Sequence, residues 1–239
     1  MFAGHFAIAL GAKKYAPQVS LGMLFLACQL ADLMWPSLVL IGIEKFAIEP
    51  GNTVLTPLRF IHYPYSHSLL TLLIWGVLLA GIYALMRGGG KRAAMVITIV
   101  VISHWFLDFL THRPDMPITP SETNLVGLGL WNYPVLAVPV ELLLFALGFW
   151  IYIRHTRALD RIGTYGLWGL VIFLLAIYAA NLLGPPPPSV VVVAWSAQAL
   201  WLIVALGFWV DRHRVPIVDD QRKGQPDKRI LQDAVKPRC

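Results

Sequence analysis

Six times this chain runs for about twenty residues with almost no charge, at 21–43, 67–86, 93–111, 134–153, 163–183 and 190–210. A hydrocarbon layer about 30 Å thick takes about 20 helical residues at about 1.5 Å each, and its lack of water forces every backbone amide to bond within the helix. The fold class that follows is all-α, a polytopic transmembrane helix bundle of about six spans. Only 13% of the residues are charged, against about 25% in soluble domains, which excludes an ordinary soluble fold. The net charge of +6 has no nucleic-acid motif behind it. Its basic residues are topology signals, and the bilayer rather than a nucleic acid is the expected partner. Cys28 lies in an apolar run and Cys239 ends the chain, so no disulfide framework or thiolate zinc site is expected.

Residues 1–12 would make about 18 Å of helix, too short to span. Their positive charges, Lys13 and Lys14, follow the apolar stretch instead of preceding it, unlike a secretory signal. A short re-entrant helix, or one packed against the bundle, is expected. Asp32 interrupts the first span near its middle, and Pro36 is expected to kink it. The segments 44–66 and 113–133 read as loops, and Pro185 to Pro188 as a stiff connector. Residues 1–210 thus form one transmembrane domain, with a polar site in 1–153 and two accessory spans in 163–210, followed by a disordered tail at 211–239. With six spans, 16 of the 19 Lys and Arg fall on one side, which places both termini in the cytoplasm.

The third span ends Ser103-His104-Trp105-Phe106-Leu107-Asp108-Phe109-Leu110-Thr111-His112. Residues four apart share a helix face, so His104, Asp108 and His112 make one polar stripe. Each ionisable group at bilayer depth costs roughly 2.5–3.5 kcal/mol, so three along one stripe imply a shared metal or a wet cavity. Counting rise along the spans brings Asp32 level with His104, puts His67 at the mouth of the second span, and brings Glu141 level with Asp108. His5 joins them if the first helix points into the bundle. The metal candidates are therefore His5, Asp32, His67, His104, Asp108 and His112, with Glu141 or Asp108 as catalytic proton acceptor. His112 lies too far along the axis from His104 to share one ion unless the last turn breaks, which Arg113-Pro114 favours. Ligands of this kind without thiolate suit a divalent ion, zinc first, then manganese or iron. His62, His155 and His213 read as solvated.

Gly4-His5-Phe6-Ala7, Asp32, the His-x4-His-Ser element from His62 to Ser68 and the Ser-His-x3-Asp-x2-Thr element from Ser103 to Thr111 together resemble the YdjM-like family of membrane-bound metal-dependent hydrolases. The resemblance covers roughly residues 1–133. It implies that His5, Asp32, His67, His104 and Asp108 match that family's ligands. One departure is that the family's Pro-Asp-x-Asp appears as Ala31-Asp32-Leu33-Met34, without a second carboxylate. His112-Arg113-Pro114-Asp115 and Val140-Glu141-Leu142 resemble a bacterial subgroup, which implies a bacterial cytoplasmic (inner) membrane. The expected function is hydrolysis of a lipid-borne or amphiphilic ester or phosphoester. Its competitors are a transporter or ion-conducting protein using the same stripe, and a non-catalytic scaffold.

Overall fold

The computed structural model describes residues 1–88, 90–121 and 123–217. Among the described residues, five helices are long and apolar enough to cross a membrane: α5 (Leu69–Arg87), α6 (Lys91–Thr111), α7 (Pro134–His155), α8 (Arg161–Leu183) and the pair α9 (Val190–Ala197) with α10 (Leu200–Arg212), which together form the fifth. The bent pair α2 (Leu21–Cys28) and α3 (Leu30–Leu40), whose axes differ by 54°, makes a sixth if its two halves count as one span. The all-α bundle expected from the apolar runs is the fold observed.

The short helix α1 (Phe2–Ala12) is packed inside the bundle, against α7, α2 and α6, with Ala3, Phe6 and Ala9 fully buried. Such a helix can sit at the centre because small residues let backbones touch. A Cβ on Gly148 of α7 would lie 2.2 Å from the Ala7 carbonyl oxygen. Gly22 of α2 and Gly207 of α10 meet the same way, a Cβ on Gly207 falling 3.1 Å from the Gly22 Cα. Helix α6 is the most enclosed span, with half of its apolar window buried against 17% for α5. The span that carries the polar stripe is therefore the one least in contact with its surroundings.

The first span departs from expectation. Its break lies at Gln29, between α2 and α3, and Pro36 sits inside α3 without ending it. The expected kink at Pro36 is thus replaced by a sharper interruption one helical turn before Asp32, which lands in the first turn of α3. There the carboxylate faces the positive end of a helix dipole. The 44–66 loop is also more ordered than its composition suggests. Strands β1 (Lys45–Ile48) and β2 (Leu58–His62) pair antiparallel, and a one-turn helix α4 (Pro64–His67) follows. Phe46, Phe60 and Trp35 stack into an aromatic cluster, ring centroids 4.8–6.5 Å apart, that seats this hairpin on α3.

At the opposite end, β3 (Thr156–Ala158) pairs with β4 (Arg214–Pro216), and Lys13 is buried rather than solvated. Its Nζ donates to Asp211 Oδ1 at 2.8 Å and to the Val19 carbonyl at 2.9 Å. Asp160 caps α8 by accepting from the Gly163 amide at 2.8 Å, and its other oxygen lies 2.7 Å from His213 Nδ1. Those two bonds, the Gly163 amide first, hold the Asp160 carboxyl below its ordinary value. The tail expected to be disordered from 211 is ordered over its first residues, where Asp211 and Arg212 end α10 and β4 pairs with β3; beyond Ile217 it lies outside the described residues.

Candidate metal centre

Four elements converge beneath the hairpin. Helix α6 brings His104 and Asp108, α1 brings His5, the start of α3 brings Asp32, and α4 brings His67. Asp108 is the hub. Its Oδ1 lies 3.1 Å from His5 Nε2 and accepts from the Met1 amino group at 2.5 Å. Its Oδ2 lies 3.1 Å from His104 Nε2 and 3.9 Å from both His67 Nε2 and His112 Nε2. Asp32 Oδ1 is 3.4 Å from His67 Nε2 and 3.8 Å from His104 Nε2. Two triads thus have ligand atoms close enough to hold an ion, His5–His104–Asp108 and Asp32–His67–His104, sharing His104. Ligands about 2.0–2.2 Å from a four-coordinate ion lie about 3.3–3.6 Å from one another, the range these separations straddle.

Proton placement says more than distance. His104 Nδ1 is 2.8 Å from the Cys28 carbonyl, beside the break between α2 and α3. A carbonyl can only accept, so Nδ1 carries the hydrogen and, in the neutral ring, Nε2 is left as a lone pair. Two carboxylates lie within 4 Å of that nitrogen, Asp108 Oδ2 and, at 3.8 Å, Asp32 Oδ1. Although Asp108 Oδ2 is 3.1 Å away, Nε2 has no hydrogen-bond partner in line with it, and the atom is buried. An unpartnered acceptor facing carboxylates is repulsive unless a positive charge lies between them. The donor set and the orphaned nitrogen both fit a divalent ion.

His112 is held by the same logic. Helix α6 ends at Thr111, and His112 follows in extended backbone, φ −65° and ψ 147°. The broken turn swings its ring back over Asp108. Its Nδ1 lies 2.9 Å from Asp115 Oδ1, a carboxylate that also accepts from the Tyr63 hydroxyl at 3.1 Å. Burial, with Asp115 beside it, pushes the Tyr63 phenol well above its ordinary value, so the hydroxyl remains a donor. Trp131 and Phe60 pack on the imidazole with centroids 4.4 and 4.8 Å away. His112 belongs to neither triad and stands at the rim of both.

His5 stacks on His104, ring centroids 3.8 Å apart and planes 2° from parallel. His67, His104 and Asp108 have side chains no more than 3% exposed, whereas the Asp32 side chain is 30% exposed. Asp32 therefore marks the open side. Glu141, buried on α7, lies in neither triad; its Oε1 accepts from the Gly4 amide at 3.2 Å, which ties α7 to α1 near His5. His155 Nδ1 bonds the Ile151 carbonyl and His213 pairs with Asp160, both away from the centre.

The orienting groups Cys28, Ser66, Tyr63 and Asp115 were not legible as such in the sequence. Asp115 also has Arg113 beside it, whose Nε lies 3.6 Å from its Oδ2. Compared with models of protein families, with curated proteins and with solved structures, the chain finds no match in any of the three.

Proposed function

We propose that this protein is a membrane-embedded, metal-dependent hydrolase of an ester or phosphoester carried on a lipid or other amphiphile. What supports this above all is the buried His104 Nε2, a lone pair with no partner, facing Asp32 and Asp108. The triads Asp32–His67–His104 and His5–His104–Asp108, joined at His104, would offer the ligands for the ion, zinc first by donor chemistry, with His112 at their rim. When bound, it supplies a water of lowered pKa and a Lewis acid for the scissile oxygen. The remaining work falls to the chain. Asp108, within 4 Å of three other imidazoles besides His5's contact, is the proton acceptor by position. Asp32 sits where water and substrate reach the site, and Glu141 secures α1 so that His5 stays stacked on His104.

Hydrolysis is favoured over transport because the run from Ala93 to Ile102 on α6 is apolar except for Thr98, whose hydroxyl is taken up by the Gly76 carbonyl at 3.2 Å, so α6 offers no ionisable group between the centre and the basic end. The basic segments at 13–14, 87–92 and 154–161 favour that end as the cytoplasmic face of a bacterial inner membrane, with the chain after α10 on that side and Met1 carried by α1 into the buried centre. The test is elemental analysis of full-length protein purified in detergent, followed by assay on micellar p-nitrophenyl esters and phosphoesters. At least one divalent ion per chain is expected, lost in His104→Ala, together with hydrolysis that a chelator abolishes. A folded, metal-free protein, or metal retained in full by His104→Ala, would overturn the proposal.

A further inference from the structure

His67 is oriented by a hydroxyl, and a hydroxyl can either give or take a hydrogen bond. Ser66 Oγ lies 2.7 Å from His67 Nδ1, so taken alone it leaves the imidazole's proton on either nitrogen. The choice is made one residue further out. Glu44, in the segment leading into β1, is 1% exposed and places its carboxylate against α4. Its Oε1 accepts from the Tyr65 and Ser66 amides, both at 2.9 Å, and its Oε2 lies 2.6 Å from Ser66 Oγ. A carboxylate only accepts, so the Ser66 hydrogen is committed to Glu44. Ser66 Oγ is left with lone pairs, Nδ1 must carry the imidazole hydrogen, and Nε2 is delivered bare toward Asp32 and Asp108.

We infer that Glu44 and Ser66 are positioning residues for the metal centre, a carboxylate–hydroxyl–imidazole relay that sets the tautomer of His67. This rests on the metal-centre reading above and extends it to two residues outside the ligand set. The relay also explains why a carboxylate is buried at the hairpin. Glu44 satisfies two free amides at the start of a one-turn helix and uses its remaining oxygen to fix a hydrogen bond leading to the ligand. Outer partners of this kind set ring orientation and ligand basicity, and losing one typically costs about 10–100-fold in metal affinity.

The experiment loads full-length protein in detergent with Co²⁺ and reads affinity by chelator competition together with the visible ligand-field spectrum. Ser66→Ala removes the acceptor for Nδ1 and is expected to weaken binding by about 10–100-fold and to alter the spectrum. Ser66→Thr keeps the hydroxyl and is expected to restore both. Glu44→Gln is nearly isosteric, but its amide NH2 can only donate to Ser66 Oγ. That frees the hydroxyl hydrogen to point at Nδ1 and drives the imidazole hydrogen onto Nε2, so an affinity loss at least as large as that of Ser66→Ala is expected. If Glu44→Gln fails to fold, the Ser66→Ala and Ser66→Thr pair still decides. Wild-type affinity and spectrum in Ser66→Ala would overturn the relay while leaving the metal centre standing. Wild-type protein that takes up no Co²⁺ would overturn the metal reading itself, and the relay with it.

Discussion

Gly148→Ala is the most searching test of how the bundle holds its centre. The added methyl carbon would sit 2.2 Å from the Ala7 carbonyl oxygen, 2.7 Å from the Ala7 Cα and 2.8 Å from its carbonyl carbon. All three atoms are backbone, so no rotamer change relieves the clash. Restoring ordinary contact, about 3.4–3.5 Å, requires α1 and α7 to part by roughly 1 Å. His5 sits two residues before Ala7, with Nε2 3.1 Å from Asp108 and its ring 3.8 Å from that of His104. A 1 Å retreat stretches that hydrogen bond beyond useful length and opens the stack. Overpacking of about 1–3 kcal/mol and the loss of a buried hydrogen bond to a charged group, about 1.5–3 kcal/mol, together predict about 2.5–6 kcal/mol of destabilisation. For a domain of this size that is a fall of roughly 5–24 °C in the melting temperature. Gly81→Ala on α5 is the control, because nothing lies within 4 Å of its would-be Cβ. There the change is expected to be neutral or to stabilise by up to about 1 kcal/mol through helix propensity. Thermal unfolding in detergent and metal content read the two variants side by side. A Gly148→Ala protein as stable and as metal-replete as Gly81→Ala would refute the close approach of α1 to α7 and its role in placing His5.

At the other end of the bundle, Asp211→Asn leaves Lys13 buried without its counter-charge and is expected to cost about 3–5 kcal/mol in unfolding measurements. Replacing both residues by apolar ones should cost less, and an equal or larger loss would contradict the pairing. Asp160→Ala addresses pH. Because the folded-state carboxyl lies below its unfolded value, Asp160 contributes stability above about pH 4, lost as pH falls through the folded value. The melting-temperature gap between wild type and Asp160→Ala should therefore narrow on acidification below about pH 4, and a constant gap would refute the assignment.

Much of the bundle was readable from the apolar runs because a long uncharged helix has few alternatives in a bilayer. The ends of α5 to α8 fall within about two residues of the runs that predicted them. Depth counting placed Asp32 and His104 together correctly, since rise per residue is a fixed quantity. The Gln29 break was not readable. No glycine or proline marks it, and it is sustained by a partner from another helix, His104 on the Cys28 carbonyl. The same limit hid the outer residues. Ser66 and Glu44 are 22 positions apart and meet only because β1 and β2 fold the intervening segment back on itself. Glu141, by contrast, is buried on α7 yet directs its oxygen to the Gly4 amide, a choice that counting rise along a helix does not fix.

The interruption at Gln29 has a consequence for anyone who wishes to harden this protein. In an uninterrupted helix the Cys28 carbonyl would accept from the amide four residues on. Here it serves as the anchor for an imidazole. Substitutions that regularise the segment would reclaim that oxygen for the rod and set the His104 ring free to turn. In this span local irregularity and competence are coupled, and gains in rigidity there are expected to come at the expense of the centre.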